Sequence, residues 1–258
     1  MRLATWNINS VRLRISTIIE FVKRFNIDVL CLQETKTEDK YFPLEDFYKI
    51  GFENNYISGR KSYNGVAILS RLPIKKKFKL KWCGISDARH ISVLLDNKIT
   101  IHNFYVPAGG DIPDINLNDK FKHKIDFLKE MIVFFKNDIT KKKIITGDLN
   151  VAPSEYDVWS HKQLINVISH TPIETDLLHM LLKQGNLIDI IRQDSLPKEK
   201  LYSWWSYRSK DWKKSDKGRR LDHVFTSKDL KVIMTKICKE YRSLAKPSDH
   251  VPIIVDFN

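Results

Sequence analysis

The chain has 258 residues, is 42% hydrophobic and carries a formal net charge of +13. That length fits one sandwich- or barrel-sized domain, and no apolar run approaches the roughly 18 residues a membrane-spanning helix needs. The excess of Lys and Arg suits a polyanionic partner, because basic side chains release counterions when they neutralise phosphates, although a general enrichment in lysine gives the same excess.

An amphipathic pattern starts at Arg2-Leu3 with no basic-then-apolar leader before it. Cys31, Cys83 and Cys238 are odd in number and show no paired spacing, so neither a disulfide framework nor a zinc site is expected. A soluble, cytoplasmic protein of one domain, residues 1–258, is the reading these features give, with a monomer as the default.

Leu3 to Asn9 reads as a first strand with Asn7 and Asn9 on one side near its end. Ser10 is placed to cap a helix whose apolar face is Val11, Ile15, Ile18, Ile19, Val22 and Phe25. Asp28 to Gln33 is a second strand, with Glu34 at its end and Cys31 as a small core residue. Asn64-Gly65 signals a turn before a strand from Val66 to Leu69. Lys75 to Lys81 alternates like an edge strand with solvated lysines. His90 to Leu95 and Ile99 to Val106 form an expected hairpin around Asp96-Asn97, the second strand delivering Asn103 and Tyr105. Asn118 or Asp119 caps a helix through about Lys136, with Ile125, Leu128, Ile132 and Phe135 inward.

Lys143 to Asn150 is the most informative stretch. Its apolar run ends in Gly147, and Asp148 and Asn150 then point to one side of the chain. A plain turn also uses Gly, Asp and Asn for backbone reasons. A helical, His-containing region from Ser154 to Gln184 follows, ended by Gly185. Strands from Leu221 to Thr226 and from Val251 to Phe257 complete the pattern, with Ser248-Asp249-His250 just before the last.

Four acids, Glu34, Asp148, Asp222 and Asp249, therefore sit beside strand ends, as do Asn7, Asn150, Tyr105 and His250. Singly each is an ordinary loop group; together they mark the place where strand ends converge on a site. Carboxylates gathered in one cleft repel and would protonate unless a cation keeps them ionised. Oxygen ligands such as Glu34, Asn7 and Asp249 suit Mg²⁺, which would also neutralise a phosphodiester. His250 has Asp222 available to orient its second ring nitrogen. The remaining His90, His102, His123, His161, His170 and His179 have no such context and read as core or surface residues. Tyr202 to Arg220 interleaves aromatics with cations; it reads partly as core rings and partly as a nucleic-acid surface.

Trp6-Asn7-Ile8-Asn9-Ser10-Val11-Arg12, Leu32-Gln33-Glu34-Thr35-Lys36, Asn103-Phe104-Tyr105-Val106-Pro107 and Gly147 to Pro153 form an ordered set of motifs. Trp204, Tyr207-Arg208-Ser209-Lys210, Arg220-Leu221-Asp222 and Ser248 to Pro252 continue it. The set resembles the exonuclease III family of abasic-site endonucleases, within the endonuclease/exonuclease/phosphatase superfamily, from end to end.

The resemblance implies an α/β fold, a four-layered sandwich of two packed mixed β-sheets flanked by helices. It implies Mg²⁺-dependent cleavage of duplex DNA 5′ to an abasic site, with Mn²⁺ as a substitute ion and with trimming of blocked 3′ ends. Glu34 would hold the metal with Asn7 beside it, and Asp148, Asn150, Asp249 and His250 extend the ligand set. Asp148 would position or activate the water, Asn150 would help hold the phosphate, Tyr105 and His250 would contact it, and Asp222 would orient His250. Either Asp148 or a Tyr105 phenolate could serve as base. Trp204, Tyr207, Arg208, Lys210, Arg219 and Leu221 would touch DNA, Trp204 and Leu221 lining a pocket for the bare sugar. Arg219 departs from an apolar or aromatic position, and Gly109-Gly110-Asp111 lacks a bulky or basic group to push into the duplex. Both departures predict a more open pocket. A phosphatase of the same fold and a non-cleaving DNA-damage binder are the alternatives; the basic aromatic loop argues against the first and the intact acids against the second.

Overall fold

A computed structural model describes residues 1–209 and 211–258. Lys210, expected to touch DNA, lies outside the described residues.

The N-terminal half supplies β1 (Arg2–Asn7), α1 (Ile15–Phe25), β2 (Val29–Gln33), α2 (Leu44–Tyr48), β3 (Asn54–Arg60) and β4 (Tyr63–Ser70). Next come β5 (Ile74–Phe78), β6 (His90–Leu95), β7 (Thr100–Tyr105), α3 (Asp119–Asn137) and β8 (Lys143–Asp148). The C-terminal part adds α4 (His161–Leu164), α5 (Pro172–Gln184), β9 (Leu187–Asp189), β10 (Trp204–Trp205), β11 (Gly218–Arg219), β12 (Asp222–Ser227), β13 (Val232–Ile237) and β14 (Ile253–Phe257).

Two six-stranded sheets result, in the orders β13-β14-β1-β2-β4-β3 and β5-β6-β7-β8-β12-β9. Each is mixed: β1 runs parallel to β2 and β7 parallel to β8, while their other neighbours are antiparallel. Leu3, Val29 and Ile68 of one sheet meet Ile91, Ile101 and Val224 of the other in a dry central layer. Trp6, Leu30 and Leu69 face α1 and α2 on one outer side; Phe104, Ile145 and Phe225 face α3 and α5 on the other. This is the expected four-layered α/β sandwich. It arises because strands whose two faces are both apolar must be covered on both. Cys31 is buried among the central residues as expected, and β5 is an edge strand with its lysines exposed.

Local expectations were met unevenly. Asn118 caps α3, accepting from the backbone N–H groups of Lys120 and Phe121, and the expected β6–β7 hairpin forms, with Leu94 opposite Thr100. Ser10 caps nothing: α1 begins five residues later, after a turn in which Asn9 and Ser10 both have positive φ. The expected helical region from Ser154 to Gln184 is broken into α4, α5 and one 3-10 turn. Asn64-Gly65 is not the turn; both residues lie inside β4, and the chain reverses at Lys61-Ser62. Their carbonyls instead accept from the backbone N–H groups of Lys36 and Thr35, fixing the segment that carries Glu34. Gly65, at φ +98°, is required there, because a Cβ would lie 2.1 Å from Thr35 Oγ1.

A buried ion cluster anchors the start of β12. Arg220 donates to both oxygens of Asp157, at 2.7 and 3.0 Å, and to both of Asp189; Arg192 also pairs with Asp157. Burial alone would raise the Asp157 carboxyl, but Arg220 and Arg192 hold it below its ordinary value. Removing one partner leaves a charge uncompensated in the interior. Asp157→Ala should therefore cost roughly 3–5 kcal/mol, read as a lower melting temperature with cooperativity retained. A loss below about 1 kcal/mol, the surface-pair range, would show that the cluster is solvated.

Three histidines are buried and neutral. Burial lowers His90 well below its ordinary value and brings His102 and His223 to about 4. The unfolded chain takes up their protons as pH falls through about 6.5, so native stability declines between pH 6.5 and 4. Asp148, raised to about 7 by burial, and His250, raised to about 10 by Asp222 and Asp148 against its burial, work in the opposite direction and nearly cancel the three histidines close to neutral pH. The net expectation is a stability loss that sets in below about pH 6 and is at most about 2.7 kcal/mol per pH unit, measurable by denaturant titration at pH 6.0, 5.0 and 4.5. A flat or inverted profile would contradict it.

Candidate active site

Cross-strand register builds the centre. Tyr105 at the end of β7 lies opposite Asp148 at the end of β8, and Asp148 lies opposite Asp222 at the start of β12. From the other sheet, Asn7 ends β1 opposite Gln33, one residue before Glu34. His250 enters from the loop before β14 and bridges to Trp204 in β10. Six separate segments thus deliver polar side chains to one end of the sandwich.

The contacts are dense. Asp222 Oδ2 accepts from Ser203 Oγ at 2.6 Å and lies 2.8 Å from His250 Nδ1. His250 Nε2 faces Asp148 Oδ2 at 3.7 Å. Asn7 Nδ2 donates to Asp148 Oδ2 at 2.9 Å and to Glu34 Oε1 at 3.1 Å. Tyr105 OH donates to Glu34 Oε1 at 2.8 Å, and Lys36 Nζ pairs with Glu34 Oε2 at 2.8 Å. Both amide protons of Asn150 are engaged, on Asp148 Oδ2 and on the Val106 carbonyl, while its backbone N–H donates to Asp148 Oδ1. Asn150 therefore orients Asp148 and keeps no free donor for a phosphate. Asp249 stands slightly apart, accepting from Asn9 Nδ2 at 3.1 Å and Trp204 Nε1 at 3.0 Å.

The electrostatics follow from this crowding. Burial opposes charge on His250, but Asp222 and Asp148 raise it to about 10, so it is an imidazolium at neutral pH. Burial raises Asp148 to about 7 against the pull of His250, and the nearby Asp222 adds to the rise. Burial also works upward on Glu34, but Lys36, Asn7 and Tyr105 together hold it below its ordinary value. Tyr105 moves well above its ordinary value through burial and the charge of Glu34.

Asp148, Asp222 and His250 offer ligand atoms within 4.8 Å of one another. Asp222 Oδ1 is buried with no hydrogen-bond partner among the described residues, an unmet acceptor of the kind a cation or its coordinated water satisfies. Carboxylate and amide oxygens dominate the surroundings, which suits a hard divalent ion. Glu34 joins this group through Asn7.

Beside Glu34 and Tyr105 runs a groove of about 580 Å³ whose lining includes Lys36, Arg60, Arg89 and Lys120. Arg89 lies over the Tyr105 ring, 4.8 Å from its centroid. On the opposite flank, the aromatic loop divides between core and surface as expected, though not in strict alternation. Tyr202 and Trp205 are buried with Val251, whereas Trp204 is half-buried and Tyr207 and Arg208 are exposed. Tyr207 OH donates to the Pro247 carbonyl and accepts from Arg14 and Asn9. Leu221 packs with Ala152, Val158 and Leu164, and Trp204 covers them.

Arg219, the residue expected to open the pocket, has its guanidinium over the Trp204 ring, 5.6 Å from the centroid, where it donates to the Ile168 carbonyl and Ser169 Oγ.

Sequence reasoning missed Ser203, Lys36 and Arg89. Ser203 lies between Tyr202 and Trp204 in a stretch read for its rings and cations, and no spacing rule links it to Asp222. Lys36 and Arg89 are ordinary basic residues until the fold aims them at Glu34 and Tyr105.

Comparison with known proteins gives a consistent result. The profile of the endonuclease/exonuclease/phosphatase family matches residues 4–250. Exodeoxyribonuclease III of Haemophilus influenzae is 28% identical over the whole of both chains. A DNA-(apurinic or apyrimidinic site) endonuclease of Dictyostelium discoideum is 31% identical over all of this chain and 71% of its own. Among solved structures, an AP endonuclease from Archaeoglobus fulgidus superposes with a TM-score of 0.93 at 30% identity, covering 100% of this chain and 99% of its own. A 3′ phosphatase from Neisseria bound to a product DNA hairpin gives 0.93 at 27% identity, with the same coverage. With its family profile, fold and catalytic end all in agreement, the chain belongs to the endonuclease/exonuclease/phosphatase family, in its exonuclease III branch of DNA nucleases.

Proposed function

We propose that the protein is a Mg²⁺-dependent DNA repair nuclease that hydrolyses the phosphodiester 5′ to an abasic site in duplex DNA and trims blocked 3′ ends. The observation that carries this reading is the convergence of Asp148, Asp222 and His250, with Glu34 tied in through Asn7.

A divalent cation would neutralise the phosphate and stabilise charge on the leaving oxygen. Glu34 and Asn7 would hold it, with Asp148, Asn150 and Asp249 as the surrounding ligand candidates; Mn²⁺ would substitute. His250, also expected in the ligand set, carries a proton on both ring nitrogens and has no lone pair to offer a cation. Asp148 positions the attacking water and accepts its proton. The Tyr105 hydroxyl already donates to Glu34 and is hard to ionise, which favours Asp148 over a phenolate as base. His250, held through Nδ1 by Asp222, presents a charged Nε2–H to a phosphate oxygen. Asn150 fixes the Asp148 carboxylate from both backbone and side chain.

Substrate recognition rests on the two flanks. Lys36, Arg60, Arg89 and Lys120 line the groove on one side, suited to DNA phosphates. Trp204, Leu221 and Arg219 bound the pocket on the other, where an extruded abasic sugar costs less to flip than an intact nucleotide. Tyr207, Arg208 and Lys210 would meet the backbone beyond it. The protein would act as a monomer. Three cysteines without a disulfide are compatible with a cytoplasmic location, and no helix among the described residues is long and apolar enough to cross a membrane.

A duplex carrying a single abasic-site analogue tests the reading directly. A nick on its 5′ side should require Mg²⁺, vanish in excess EDTA, and fall roughly 100- to 10,000-fold in Asp148→Ala. Binding without a metal-dependent nick would replace this reading with that of a damage binder.

The His250 imidazolium gives a pH test. Its pKa near 10 depends on Asp222, so Asp222→Asn moves the loss of its proton toward neutral pH. The alkaline limb of the kcat/KM profile should therefore begin at lower pH in Asp222→Asn than in the wild-type enzyme. An unshifted limb would remove His250 as the charged donor.

A further inference from the structure

Behind the site, three loops that frame it meet on one buried ion pair. Lys124 in α3 and Glu174 in α5 are both fully buried. Lys124 Nζ donates to the Asn150 carbonyl at 2.7 Å and the Ala108 carbonyl at 3.3 Å, and it pairs with Glu174 Oε1. An ammonium has three protons, and all three are committed. Glu174 in turn accepts from the backbone N–H groups of Ser169 and Thr171 and from Thr171 Oγ1 at 2.6 Å.

Each tethered point leads to a working group. Asn150, at φ +55°, is held at its carbonyl by Lys124 and at its N–H by Asp148. Ala108 follows shortly after Tyr105 in the same strand exit. Ile168 and Ser169 receive the Arg219 guanidinium. The fit is close, because a Cβ on Gly109 would lie 3.0 Å from Ile168 Cγ2 and 3.1 Å from Lys124 Cδ. Gly109 thus packs against the lysine stem and the facing loop together.

A buried pair is weak evidence for stability, since apolar or neutral replacements of similar volume are often as stable. Its value lies in where it holds the backbone. We infer that the Lys124–Glu174 pair is a positioning device that sets Asn150, and through it Asp148, in the geometry the proposed hydrolysis needs. Neither residue touches substrate; both act through the loops they hold. The inference rests on the nuclease reading given above.

The test separates position from stability. In K124M/E174Q no unpaired charge stays buried, and the glutamine oxygen still accepts from Ser169 and Thr171, while the tether to Asn150 and Ala108 is gone. The expected result on the abasic-analogue duplex with Mg²⁺ is a kcat lowered roughly 100-fold, the loss typical of a misplaced catalytic group. KM should stay within about threefold, at a temperature where circular dichroism shows the variant folded. If the double variant does not fold, Lys124→Met alone, whose Glu174 can take up a proton, is assayed in its place with the same expectation. A folded variant with wild-type kcat, or a loss carried entirely by KM, would overturn the inference. Failure of the wild-type enzyme to nick the duplex would instead overturn the nuclease reading, so the two failures are distinct.

Discussion

Three carboxylates, Glu34, Asp148 and Asp222, crowd into one end of the sandwich, and their mutual repulsion is the constraint that the surrounding structure answers. Each answer is local. Asp222 is matched by the His250 imidazolium and Ser203, Glu34 by Lys36, Asn7 and Tyr105, and Asp148 by the amides of Asn7 and Asn150. Low dielectric makes each of these contacts stronger than it would be in water, and makes each absence costlier. The register Tyr105–Asp148–Asp222 across three adjacent strands is what forces the groups together. Slipping any of those strands by one residue would turn its acid to the other face.

The fold and the convergence of the candidate site residues were legible in the sequence for the same reason. Strands buried on both faces read as continuous apolar runs, and polar groups at their ends then stand out, as Asp148 does after Ile144-Ile145. Period-two alternation was enough to pair Asn7 with Asn9 and Asp148 with Asn150 on one side. Asn9 nevertheless leaves the strand with positive φ and faces Asp249 instead. The resemblance to a known family supplied the roles that periodicity could not.

What stayed hidden was long-range. Ser10 looked like a helix cap, yet the turn at Asn9 and Ser10 is held by backbone bonds to Glu34 and Thr35, partners distant in sequence. Asn64-Gly65 looked like a turn because those residues tolerate left-handed conformations, which they do adopt. They use that freedom to let the Glu34 segment approach, a requirement visible only once Thr35 is in place. Arg219 read as a gap in an apolar wall. Its charge is accommodated by Trp204 and by the loop at Ile168, neither of which could be placed beside it from spacing alone.

The pairing of β1 with β14 has a bearing on how the protein comes into being. Arg2 lies opposite Asp256 and Leu3 opposite Val255, and Ser248 Oγ donates to the Asn7 carbonyl. A ribosome releases Leu3 long before Val255. Until residues 250–257 have emerged, β1 lacks a neighbour on one side and Asn7 has no histidine facing it across Asp148. A nascent chain can gather its first helix and strands early, yet the hydrolytic centre is complete only when the last strand has joined.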